Sequence, residues 1–89
     1  MLVERAIENF ERLSRKMVQE RAELLEINSA LGSGVDVLDT INLINNINGL
    51  LSAYDVIIPA LRKSLDDGVG VICSDEHFRT IIERYKEKI

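Results

Sequence analysis

The residues best suited to chemistry form one short cluster near the carboxyl end of the sequence. Cys73 and His77 are four positions apart, with Asp75 and Glu76 between them. A helix start favours the thiolate form of cysteine, so this spacing could supply a nucleophile or metal ligands. A zinc site needs three or four such ligands, and the whole sequence contains one cysteine and one histidine. We interpret the cluster as a helix start and predict no enzymatic activity, no metal and no cofactor.

A second set of polar residues lies in the most apolar stretch of the chain, where Asp55 is the single charged side chain between Thr40 and Leu61. Side chains of this set could line a polar pocket between the helices of an oligomer and bind a small ligand or nucleotide. The set consists of Asn42, Asn45, Asn46, Asn48 and Tyr54. The asparagines could instead fix the register of packed helices, because a buried amide requires a hydrogen-bond partner.

The element that carries these asparagines is predicted to be a long helix over residues 35–66. One row of apolar residues repeats every seven positions: Val37, Ile44, Leu51, Ile58 and Leu65. Ile47, Tyr54 and Leu61 form a second row, so the apolar stripe is too broad for one partner helix to cover. The Asn-Gly step at Gly49 and the proline at Pro59 weaken a helix, and we predict one bent helix here rather than two.

A first helix is predicted over residues 2–31, with an apolar row at Val3, Phe10, Met17, Leu24 and Leu31. The glycine-rich segment 32–34 is predicted to be a tight turn, which makes the two long helices antiparallel neighbours. Counting outward from that turn pairs Phe10 with Tyr54 and Val3 with Leu61.

A short third helix is predicted over residues 75–88, after an extended connector at 67–73. Phe78, Ile81, Ile82 and Tyr85 follow the spacing of one apolar face, and Ser74 is placed to cap the helix start. The predicted fold is therefore one all-α domain over residues 1–89. It is a long antiparallel helical hairpin with a short C-terminal helix, which we expect to assemble into a helical bundle.

Composition limits the classes of partner. The net charge of −4 gives no general attraction to nucleic acid. Asparagines and Pro59 make a membrane span by the second helix unfavourable, so we expect no membrane partner. The charged first residues lack an apolar secretory core, and the single cysteine fits a reducing compartment. We expect a cytoplasmic protein.

A segment of the first helix resembles an enzyme family. The run ERAELL at residues 20–25, preceded on the same helix by Arg5 and Arg12, resembles the opening of the small helical chorismate mutases. That family carries a lysine soon after its first helix and an arginine–glutamate pair at the start of its second. This chain reads LGSG at 31–34 and DVLD at 36–39. The resemblance ends with the first helix, and no residue is transferred.

The breadth of the apolar stripe gives the predicted function. A chain of 89 residues covers such a stripe poorly alone, so we predict a homodimer or a larger homo-oligomer. The predicted function is a small self-associating helical protein that binds, inhibits or tethers a protein partner. The residues predicted at the oligomer or partner interface are Ile44, Asn45, Asn48, Leu51, Tyr54 and Ile58. The alternative is a small-ligand or nucleotide-binding oligomer that uses the polar set defined above.

Overall fold

Three helices account for most of the chain in the computed structural model: α1 (Val3–Leu31), α2 (Val35–Asp66) and α3 (Asp75–Lys86). The structure describes residues 1–31 and 35–86, so the predicted turn at 32–34 and the last residues, 87–89, lie outside the described residues. α1 packs along α2, and α3 packs on α2. The predicted all-α fold, a long hairpin with a short third helix, is confirmed.

Contacts between α1 and α2 follow the antiparallel pairing expected from the sequence. The rings of Phe10 and Tyr54 lie 5.6 Å apart between their centroids. Val3 and Leu61 both belong to the buried core. Nearer the turn, the guanidinium of Arg21 hydrogen-bonds to Asn48 on α2. The hairpin therefore brings the residues together in the order that counting away from the turn predicts.

α2 continues without a break through the Asn-Gly step at Gly49 and through Pro59. A glycine in a helix interior costs about 1 kcal/mol relative to alanine, and a proline costs about 3 kcal/mol. Packing outweighs these costs, because Ala60 and Leu61, directly after the proline, are both 0% exposed. Tertiary burial thus maintains a helix that local propensity alone would not.

The core lies at the end of the hairpin remote from the turn. Its buried members are Val3, Ala6, Ile7, Ala60, Leu61, Ile72, Ile81 and Tyr85. At the edge of the core nearest the turn, Phe10 of α1 contacts both other helices. Its ring packs on Tyr54 of α2 and stacks on Phe78 of α3, with 6.0 Å between the centroids of Phe10 and Phe78. α3 therefore covers only the half of the hairpin that contains the chain's first residues.

Backbone hydrogen bonds fix the position of the connector that leads to α3. Gly68, at φ 91°, ends α2 in the left-handed conformation, and the N–H of Val69 donates to the carbonyl of Ser64 at 2.9 Å. The connector then pairs with the start of the chain, where Leu2 and Val71 form an antiparallel bridge. This bridge holds the connector at the core end, where α2 finishes and α3 begins.

Tyr85 attaches the last turn of α3 to the end of α2. Its side chain is buried, and its hydroxyl hydrogen-bonds to the carboxylate of Asp67. Burial and this interaction raise the pKa of Tyr85 above the ordinary tyrosine value of 10.0. The hydroxyl therefore stays protonated, as a donor to a carboxylate must.

Candidate functional site

Large apolar side chains are exposed in the turn half of the hairpin, defined as residues 14–29 and 38–53. Among the described side chains there, Ile47 is the only buried apolar one, at 7% exposed. Leu38 is 63% exposed and Leu43 is 51% exposed. The other large exposed apolar residues of this half are Val18, Leu25, Ile27, Ile41 and Leu50. Helical spacing and the shape of the surface divide them between two faces.

The first face is an open groove between α1 and α2, here named the turn-half groove, with a volume of about 550 Å³. Its lining residues are Glu20, Glu23, Leu24, Ile27, Leu43, Asn46, Ile47 and Leu50. The α1 side carries two carboxylates, whereas the α2 side is neutral. Nζ of Lys16 lies 4.0 Å from Oε1 of Glu20, an exposed pair that offsets the charge of Glu20 only weakly. Glu23 accepts a 3.5 Å hydrogen bond from the neutral amide of Gln19, which does not offset its charge.

The second face is here named the rear face, and it consists of Val18 and Leu25 on α1 and Leu38, Ile41, Asn45 and Asn48 on α2. The four α2 residues are spaced three and four apart, so they share one side of the helix. Leu38 and Leu43 are five positions apart, which is about 140° around a helix and places the rear face away from the groove. The Arg21–Asn48 hydrogen bond of 2.8 Å crosses between the helices.

The predicted interface residues fall into two groups in the structure. Ile44, Leu51, Tyr54 and Ile58 are half-buried, and Tyr54 packs on Phe10 within the hairpin. Asn45 and Asn48 are exposed on the rear face. Whether these residues form an interface stays a prediction.

The α1 residues of both faces are absent from the predicted interface. Val18 and Leu25 lie off the seven-residue row that defined the first helix. Their signal was a second, weaker stripe of small and apolar residues at Val18, Ala22, Leu25 and Ser29. That stripe has helical spacing, but its alanine and serine give it little hydrophobic weight.

The polar set proposed for ligand binding is spread around α2. Asn46 lines the turn-half groove, Asn48 bonds Arg21, and Tyr54 packs on Phe10. Asn42 and Asn45 are exposed. The ligand-binding alternative stays a prediction.

Hydrogen bonds at the start of α3 explain the Cys73–His77 spacing. The backbone N–H of Cys73 donates to Nδ1 of His77 at 2.9 Å, and the N–H of His77 donates to Oγ of Ser74 at 3.1 Å. Together these bonds satisfy two donors at the helix start, in the manner of a capping box. In the part of the chain that the structure describes, no three cysteine, histidine or acidic side chains gather as metal ligands would.

Comparisons with known proteins give no relative: no family model, no curated protein and no solved structure matches this chain. Within the described ranges, no helix has the length and apolar character that crossing a membrane requires. The distribution of apolar surface and charge over the hairpin is therefore the basis for assigning a function.

Proposed function

We propose that this protein is a self-associating helical interaction protein that binds, inhibits or tethers a protein partner through the turn half of its hairpin. One observation supports the proposal: the buried core fills one end of the hairpin, while the other end exposes a cluster of large apolar side chains. Single exposed leucines are ordinary on soluble proteins, but several large apolar side chains on one face of two neighbouring helices are typical of a contact surface.

The rear face is the surface proposed for self-association, most simply in a dimer whose two hairpins form a four-helix core. Leu25 and Leu38, on different helices, are 49% and 63% exposed. Moving such a half-exposed side chain out of water contributes roughly 1 kcal/mol. Asn45 and Asn48 lie in the same stripe, where an amide that finds its partner in one alignment only would exclude slipped pairings.

A matched pair of lysine substitutions tests this function. Leu25→Lys places a charge on the rear face, and Val71→Lys places the same charge on the connector, with both wild-type side chains 49% exposed. Sedimentation velocity should give a dimer for the wild type and for Val71→Lys, and a monomer for Leu25→Lys. Equal masses for the two variants would contradict self-association through the rear face. Circular dichroism verifies that both variants retain the helical content of the wild type.

A further inference from the structure

The turn-half groove repeats the α3-binding part of the hairpin, two heptads nearer the turn. Beside α3, a cavity of about 380 Å³ is lined on α1 by Ala6, Asn9, Phe10 and Leu13. The α1 residues of the groove are each fourteen positions later: Glu20, Glu23, Leu24 and Ile27. Fourteen residues are nearly four helical turns, so both sets lie on the same side of α1.

α2 carries the same repeat. The groove is lined on α2 by Leu43, Asn46, Ile47 and Leu50. Fourteen positions later come residues of the core, or packed against it, on the half of the hairpin that α3 covers: Ile57, Ala60, Leu61 and Ser64. One side of the hairpin thus carries the same set of positions twice. The first set is at the core end, here named the lower site, where α3 packs on α2 and an open cavity remains beside α1; the second set lines the groove.

α3 indicates what kind of element such a site accepts. It is an amphipathic helix whose apolar residues, Phe78, Ile81, Ile82 and Tyr85, are three and four positions apart. Ile81 is 4% exposed and Tyr85 is 2% exposed, so α3 is engaged and cannot also fill the groove of a second copy.

Charge distinguishes the two sites. The groove has the carboxylates of Glu20 and Glu23 on its α1 side. The equivalent positions of the lower site carry the neutral residues Ala6 and Asn9. A second copy would bring the same acidic side and another net charge of −4, whereas a basic partner would neutralise the carboxylates.

We propose that the turn-half groove binds an amphipathic helix of another protein, with apolar residues at the spacing found in α3 and lysine or arginine along one flank. The helix would lie along the groove with its apolar stripe on Leu24, Leu43 and Leu50. Its basic flank would face the carboxylates of Glu20 and Glu23. Such binding is an example of helix-in-groove recognition, in which an amphipathic helix lays its apolar face into a groove. The proposal rests on the function proposed above, because the second copy must occupy the rear face and leave the groove free.

Two labelled peptides of residues 74–86 test the proposal by fluorescence anisotropy. One has the native sequence. The other carries Glu76→Lys and Glu83→Lys, which with Arg79 and Lys86 form a basic flank beside the same apolar stripe. The basic peptide should bind the protein about five- to tenfold more tightly than the native-sequence peptide. The difference should disappear at high salt, since exposed charges are screened.

Variants of the protein assign the effect to the groove. Glu20→Gln with Glu23→Gln should abolish the preference for the basic peptide. Glu4→Gln with Glu8→Gln, the same charge change at exposed α1 positions outside the groove, should preserve it. Leu50→Lys should weaken both peptides by about tenfold or more, because it places a cation on the apolar floor.

Several results would overturn the proposal: no binding of either peptide, equal affinity of both, or a preference that survives in the Glu20 and Glu23 variant. A wild-type dimer that Leu50→Lys converts to a monomer, together with no peptide binding, would mean that a second copy occupies the groove. The mass of Leu25→Lys reports separately on the proposed function. A variant that remains dimeric but binds the basic peptide contradicts only the rear-face assignment.

Discussion

Two leucine-to-alanine substitutions on α2 test whether the core end alone stabilises the single chain. Leu61 is 0% exposed in the core, and removing such a side chain costs about 2–5 kcal/mol. At about 0.05–0.15 kcal/mol per residue, a chain of 89 residues has roughly 4–13 kcal/mol in all, so Leu61→Ala removes a large part of it. Leu43 is 51% exposed, and Leu43→Ala should cost less than about 1 kcal/mol because it loses little burial and leaves no enclosed cavity.

Urea unfolding followed by far-ultraviolet circular dichroism measures both costs, at a protein concentration low enough for a single chain to dominate. With a denaturant slope of about 1 kcal/mol per molar, Leu61→Ala should lower the midpoint by about 2 M or more. Leu43→Ala should lower it by less than about 1 M. Equal shifts would refute the division of the hairpin into a core end and an uncovered turn half. If Leu61→Ala does not fold, Ile81→Val provides a milder core change, worth about 0.5–1.5 kcal/mol.

Three further predictions concern register, pH and capping. At least one of Asn45→Leu and Asn48→Leu should melt at a higher temperature while its assembly becomes mixed in size; a single sharp oligomer for both would contradict the register role. The pKa of Tyr85 is raised in the folded protein, so the unfolded chain releases this proton at a lower pH. The melting temperature should therefore fall as pH rises above about 10, and it should fall less steeply in Tyr85→Phe. An equal slope in that variant would contradict the argument. Ser74→Ala should cost about 1 kcal/mol in urea unfolding through loss of the α3 cap, and an unchanged midpoint would contradict it.

The arrangement of the hairpin could be predicted because apolar residues recur at a regular spacing along both long helices. The row containing Phe10 and the row containing Tyr54 each repeat every seven residues, and counting from the glycine-rich turn paired them correctly. The continuity of α2 through Gly49 and Pro59 followed from the same evidence, since neither apolar row changes phase there.

The packing of α3 could be predicted only in part. Because α2 ends at the core end, the order of the chain already places the connector and α3 in that half of the hairpin. The bridge between Leu2 and Val71 could not be predicted, because backbone pairing leaves no side-chain pattern in the sequence. The acidic groove was not predicted for a related reason. Glu20 interrupts a second apolar row of α1, formed by Ala6, Leu13 and Ile27. Only the structure shows that Glu20 lines a groove, at the position equivalent to Ala6 in the cavity beside α3.

The central proposal, that a second copy covers the rear face of the hairpin, is tested most directly by the mass of the wild-type protein in solution. One chain has a mass of 10.1 kDa. The mass measured by light scattering over a series of micromolar concentrations should approach twice that value at the highest concentrations. On dilution it should decline toward the mass of a single chain. A mass that stays at 10.1 kDa throughout the series would contradict the proposal.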